Sequence, residues 1–152
     1  MKRFIITIAI IACTFAALAQ NKIFEKYAKM EDVDYVCINK AMFNIANSAL
    51  SALDSELGNL GGIEKMLIIS SNTAKSKSQI DNDIEALSND RNYEILMTAH
   101  DGSDNVVFIF TDKRNPHELI IATQEKEESS IIVYAGNFSS EEVFKMLNSE
   151  GD

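Results

Sequence analysis

Two histidines, His100 and His117, are the only imidazoles available for acid–base or metal chemistry in this chain. A shared metal ion would need both rings at one centre. His100 ends one apolar run and His117 opens another, with the run 105–111 between them. Seven residues at about 3.3 Å each would hold the two rings roughly 20 Å apart. Joint coordination is therefore excluded. Cys37 would be a nucleophile only beside a basic group that stabilises its thiolate. It lies within Tyr35-Val36-Cys37-Ile38, a run that predicts a small buried hydrophobe.

The acids are equally unpromising for catalysis. Asp81, Asp83 and Glu85 are spaced by two, so on a helix they point away from one another. They read as a solvated helix face that suits the N-terminal dipole. Asp101, Ser103, Asp104 and Asn105 offer oxygen ligands, but the full calcium loop with its terminal bidentate glutamate is missing. Turn formation accounts for them. The polar stretch after Ile69 follows a strand and precedes a helix, which is where α/β proteins bind anions. Its Ser70, Ser71, Asn72, Thr73, Lys75 and Lys77 are the candidate ligand-loop residues. No G-x-S-x-G, Walker or S-x-x-K pattern accompanies them. Gly58-Asn59-Leu60-Gly61-Gly62 follows a helix and reads as a cap and turn, without the setting of a dinucleotide loop. No catalytic residue, metal ligand or cofactor is expected.

The elements that hold these residues centre on Tyr93 to Tyr134. Four runs rich in β-branched and aromatic residues (93–100, 106–111, 118–123 and 131–135) alternate with polar turns. Such short turns require antiparallel neighbours, so the runs predict a meander. On the first, Tyr93, Ile95, Met97 and Ala99 are expected to share a face. Val106 to Phe110 is apolar on both faces, so both must be covered, by this chain or by a partner.

Upstream, Ile23, Phe24, Tyr27 and Ala28 predict a short amphipathic helix over 21–30, and Val33 to Ile38 a strand. Asn39 is the expected N-cap of a helix whose stripe is Met42, Ile45, Ala46, Ala49 and Leu53, widened by Phe43, Leu50 and Leu57. Ile63 to Ile69 is the next strand, able to pair with 33–38 through a β-α-β crossover. Ser70 to Ser78 is expected as a loop, with a capping box at Ser78-Gln79-Ile80-Asp81 opening a helix docked by Ile80, Ile84 and Leu87. Ser139 to Glu142 is a second capping box, with Phe138 and Val143 as its staple. Together these predict an α+β fold: one mixed, mostly antiparallel sheet of about six strands, with helices packed on it.

The N-terminus has the form of an export signal. Lys2 and Arg3 precede an apolar core from Phe4 to Cys13, too short to span a bilayer, and Ala17-Leu18-Ala19 is an A-x-A cleavage site. The expected division is a signal peptide, 1–19, and a single α+β domain, 20–152. The alternative is acylation of Cys13, which follows a lipobox-like Ile10-Ile11-Ala12 and would make a lipoprotein. The expected location is periplasmic or extracellular. Removing 1–19 leaves 12 basic against 23 acidic side chains, a net charge of −11. That argues against a nucleic-acid partner and against electrostatic docking on anionic lipid.

Phe24-Glu25-Lys26-Tyr27, Val36-Cys37-Ile38-Asn39-Lys40-Ala41-Met42 and Gly62-Ile63-Glu64-Lys65-Met66-Leu67-Ile68 occur in that order before a β-rich half. In this the chain resembles the domain of unknown function 4252 family, small exported proteins of Bacteroidetes. The resemblance implies an exported single domain and brings no catalytic residue or cofactor. The expected function is a non-catalytic binding or interaction module, meeting an unknown protein partner or a second copy through an apolar sheet face. The alternatives are a small-ligand carrier, an enzyme of unrecognised type, or a lipid-anchored accessory protein in envelope signalling.

Overall fold

A computed structural model describes residues 22–45 and 62–143. The expected signal peptide, the acylation candidate Cys13, the body of the helix expected after Asn39 and the glycines at 58 and 61 all lie outside the described residues. Six strands form one sheet: β1 (Asp34–Asn39), β2 (Ile63–Ser71), β3 (Glu94–Asp101), β4 (Asp104–Thr111), β5 (His117–Gln124) and β6 (Ser129–Gly136). Their order is β1-β2-β6-β5-β4-β3. A 3-10 helix, Lys22–Lys29, stands where the amphipathic N-terminal helix was expected. The α-helix α1 (Ala74–Ser88) packs against β2 and β6. This is the expected α+β architecture, with β3 to β6 as the meander.

Every neighbouring pair is antiparallel, including β1 with β2. The crossover expected between those two strands is corrected accordingly. Asn39 pairs with Lys65, so β1 finishes and β2 begins at the same end of the sheet. A connection that stays at one end gives antiparallel neighbours. Because directions alternate along the order, β2 and β3 run the same way from opposite flanks of the meander, and α1 joins them.

The two faces are covered differently. On the first, the 3-10 helix and α1 bury Phe24, Tyr27, Ile80, Ile84 and Leu87 against Leu67, Ile69, Val107, Ile109, Ile120, Ile131 and Val133. Cys37 is partly buried at the edge of that cluster. On the second, Phe43, Phe138 and Val143 close over Ile63, Phe110 and Leu119. Phe43 and Val143 are helical, in residues 40–45 and 140–143, and Phe138 lies just ahead of the second of these. Both stretches sit at the end of the sheet where β1 and β6 finish.

Local capping explains several boundaries. Asn39 Oδ1 accepts the Met42 N–H at 3.3 Å, as its N-cap role requires. Ser139 and Glu142 make the reciprocal box: Glu142 Oε2 accepts the Ser139 N–H at 2.7 Å and Ser139 Oγ accepts the Glu142 N–H at 3.3 Å. Phe138 and Val143 are both buried, as a staple should be. The stripe after Asn39 differs from expectation. Phe43 is the docked residue, while Met42 and Ile45 are 58% and 66% exposed. Phe43 packs into the second-face cluster, and Met42 and Ile45 are left outside that contact.

Candidate functional site

The candidate loop is shorter than its sequence suggests. β2 runs through Ser71, and α1 begins at Ala74 with Thr73 as an extended N-cap. Lys75 and Lys77 therefore belong to the helix, and the box expected at Ser78 lies inside it. The earlier start has a distant cause. Asp32 Oδ2 accepts the Thr73 hydroxyl at 2.7 Å and the Ser76 hydroxyl at 2.6 Å. Ser71 Oγ donates to the Asp32 carbonyl at 2.7 Å. The anion at this helix N-terminus is the protein's own carboxylate. Hydrogen bonds from Ser76 and Thr73, aided by the Lys75 charge, hold the Asp32 carboxyl below its usual range.

The structure thus brings Ser71 and Thr73 together around Asp32. Ser70 lies on the opposite sheet face, in register with Ser130. Asn72 and Lys75 are exposed. Lys77 is 2.9 Å from Asp81. An open recess of about 250 Å³ beside the loop is lined by Glu31, Asp32, Asp34, Asn72 and Glu128 among others.

Two of the acids expected to be solvated are held by partners. Asp83 is 8% exposed, and its Oδ2 accepts the Tyr27 hydroxyl at 2.5 Å. Lys26 Nζ lies 2.6 Å from the same oxygen. Burial, then the Asp83 hydrogen bond, pushes the Tyr27 phenol far above its ordinary value. Asp81 receives Ser129 Oγ at 2.6 Å, Lys77 Nζ at 2.9 Å and Gln124 Nε2 at 3.2 Å. Gln124 Oε1 in turn accepts from Asn105 Nδ2 at 2.9 Å. These residues fasten mid-helix α1 to β4, β5 and β6. Local spacing could not reveal this, because the partners are more than forty residues away.

Burial pushes the Asp81 carboxyl up, but the Ser129, Lys77 and Gln124 hydrogen bonds outweigh it and hold it below the usual carboxylate value. A depressed folded-state value adds stability that is present above the unfolded value and lost as pH falls through the folded one. Asp81→Asn should therefore cost about 1–2 kcal/mol at neutral pH. Urea unfolding at a series of pH values should show the gap from the parent closing as pH falls below the usual carboxylate range. A gap that stays constant with pH would assign the loss to shape alone.

His100 is exposed on β3, and His117 opens β5 at the other end of the sheet, as the spacing required. His117 Nδ1 lies 2.6 Å from the Phe138 carbonyl, and its ring meets Phe110 edge-on. It braces the covered end of the second face. Glu118, unremarked in the sequence, is fully buried with its Oε2 accepting the Tyr93 hydroxyl at 2.6 Å. Among the described residues no group of three or more His, Cys, Asp or Glu is placed to hold a metal ion. Nor is any described helix long and apolar enough to cross a membrane.

The second face has a more distinctive organisation. Following the register across all six strands, Val36 pairs with Ile68, Ile68 with Ile132, Ile132 with Ile121, Ile121 with Phe108, and Phe108 with Met97. This is an unbroken apolar row. Its ends are open, Val36 at 47% and Met97 at 46%, and its middle is half-buried. The row beyond it is made of smaller and mostly polar residues: Asp34, Ser70, Ser130, Thr123, Val106 and Ala99. The apolar excess of Val106 to Phe110 is thereby resolved. Val107 and Ile109 are buried under the α1 layer, Phe110 is buried at the covered end, and Val106 and Phe108 belong to the half-open rows.

A strand-rich α+β domain, with one face part-covered by the described residues, is the class that these features define. The family model for a domain of unknown function (DUF4252) matches residues 27–146, and the chain belongs to that family. A search of curated proteins gives no match.

Proposed function

We propose that this protein is an exported, non-catalytic interaction module that meets its partner through the open rows of its second sheet face. The observation that supports this reading is the apolar row from Val36 to Met97, continuous across six strands in a chain with 23 acidic side chains. Apolar surface left in water is costly, at about 25 cal/mol per Å², and a contiguous patch of it is a common mark of an interface. The hydroxyls of Ser71, Thr73 and Ser76 are engaged with Asp32, so in this reading the 70–77 region is a structural latch. Export rests on the N-terminal signal and a mature start at Gln20.

The test is a photo-crosslinking residue placed at Phe108 in the protein as the cell exports it. The expected result is a defined adduct that is absent when the same residue replaces the exposed Glu85 on α1. Equal labelling from the two positions, or none from Phe108, would remove the sheet face as the interface. Intact mass of the exported protein settles the compartment separately: a start at Gln20 supports the reading, and an acylated Cys13 replaces it with a membrane-tethered one.

A further inference from the structure

The structure carries a second regularity, one that concerns charge. Val106, Thr123, Ser130 and Ser70 lie in register one step beyond the apolar row, so the turns after them crowd one end of the sheet. That end is acidic. Asp101 and Asp104 flank the β3–β4 turn, Glu125, Glu127 and Glu128 occupy the β5–β6 turn, and Asp34 opens β1. All six are exposed. Lys126 is the basic residue within those turns, and Lys75 stands on the first turn of α1 behind them. At the opposite end Phe43, Phe138 and Val143 form a wall. The open rows are thus a trough running across the strands, with the apolar row from Val36 to Met97 as its floor, a wall on one side, and on the other a mostly polar row bordered by carboxylates.

We infer that this trough seats a cationic amphipathic helix supplied by a partner protein, an inference that rests on the sheet face being the interface. The shape favours a helix. Neighbouring strands are about 4.8 Å apart, so the row presents an apolar side chain at about that interval over roughly 24 Å. An α-helix returns to the same side about every 5.4 Å, and about 16 residues cover the distance. An extended peptide repeats at nearly 7 Å and fits this spacing poorly. Burying the apolar stripe of such a helix in the trough is a common mode of recognition. The polarity follows from the border: Lys or Arg on one flank of the helix would meet the carboxylates, and acidic flanks would be repelled. The same carboxylates oppose an anionic lipid surface.

Three synthetic helices test this on the full exported protein. Each has about 16 residues and the same leucine stripe, with Lys, Gln or Glu on the remaining face. Binding is read by fluorescence anisotropy at low and high salt. The Lys helix should bind about tenfold more tightly than the Gln helix at low salt, and the advantage should shrink at high salt. Glu127→Gln with Glu128→Gln should narrow that advantage and leave the Gln helix unchanged. Phe108→Ser should weaken both helices. Met97→Ser, at a position already 46% exposed, should do the same without endangering the fold.

Equal affinity for the Lys and Gln helices, with both lost in Phe108→Ser, would overturn the cationic inference and leave the interaction face standing. Binding of the Lys helix that ignores Phe108→Ser and Met97→Ser would mean charge attraction alone and would overturn both. Sedimentation showing a dimer that Met97→Ser dissociates would make a second copy the occupant. Slow exchange of the Phe108 and Ile132 amides, lost on deleting 46–57, would make this chain its own occupant. Either result replaces the cationic helix.

Discussion

Replacing Gly136 with alanine should destabilise the protein by about 2–4 kcal/mol. Gly136 ends β6, facing Ile63 of β2 on one side and His117 of β5 on the other. A Cβ there would meet the Gly62 carbonyl oxygen, with the Gly62 carbonyl carbon and Ile63 Cα each 2.9 Å away. All three are backbone atoms, so no flexible side-chain tip can swing aside. The same carbonyl accepts the Asn137 N–H at 2.8 Å, which fixes it in place. The register shifts between Ile63 and Lys65, so this end of the β2–β6 pair already departs from a regular ladder. Gly102→Ala is the matching control. Its φ of +62° is unfavourable for a side chain, but no heavy atom lies within 4 Å. It should cost only about 1 kcal/mol. Urea unfolding of the two variants separates crowding from backbone strain, and a Gly136→Ala loss no larger than the control's would show that the start of β2 yields freely.

Tyr27→Ala should cost about 3–5 kcal/mol, in the range of a buried aromatic removed without collapse of its site. Tyr27 is fully buried between the 3-10 helix and α1 and carries the 2.5 Å hydrogen bond to Asp83. Tyr27→Phe keeps the ring and should cost about 1–2 kcal/mol, because Asp83 loses a donor where water replaces it poorly. Lys26 keeps that carboxylate from being wholly unpaired. Combining Tyr27→Phe with Asp83→Asn in a double-mutant cycle isolates the pair. Additive losses would show that the hydrogen bond contributes little and that ring packing holds the N-terminal helix. Strong coupling would show that a buried carboxylate, in mid-helix, fastens it.

What was legible in the sequence was the part set by period and by short-range caps. The meander follows from alternating apolar runs with brief turns, and the caps at Asn39 and Ser139 bond within three residues. What was not legible depended on distant partners. Asp83 and Asp81 look solvated by spacing alone, yet Tyr27, Ser129 and Gln124 reach them from other elements. α1 starts before its own capping box because Asp32, far upstream, engages Thr73 and Ser76. The pairing of β1 with β2 depends on which end of the sheet the connection leaves from, and periodicity does not encode that. The apolar row is a special case. Each of its residues was visible, but the row exists only once the register aligns them.

The edge strand β3, at the end of the sheet opposite β1, has one further property. Ile95 pairs with Ile109 and Met97 with Phe108, so Leu96 is an extra residue and the two side chains turn to opposite faces. The single face expected for Tyr93, Ile95, Met97 and Ala99 is broken there. Bulged edges twist away from flat geometry and spoil the ladder that another strand would need. β3 is exposed along most of its length and carries Glu94 and Asp101 at its ends. Its kink therefore discourages copies from stacking edge to edge into fibres, a hazard for any sheet with an open flank.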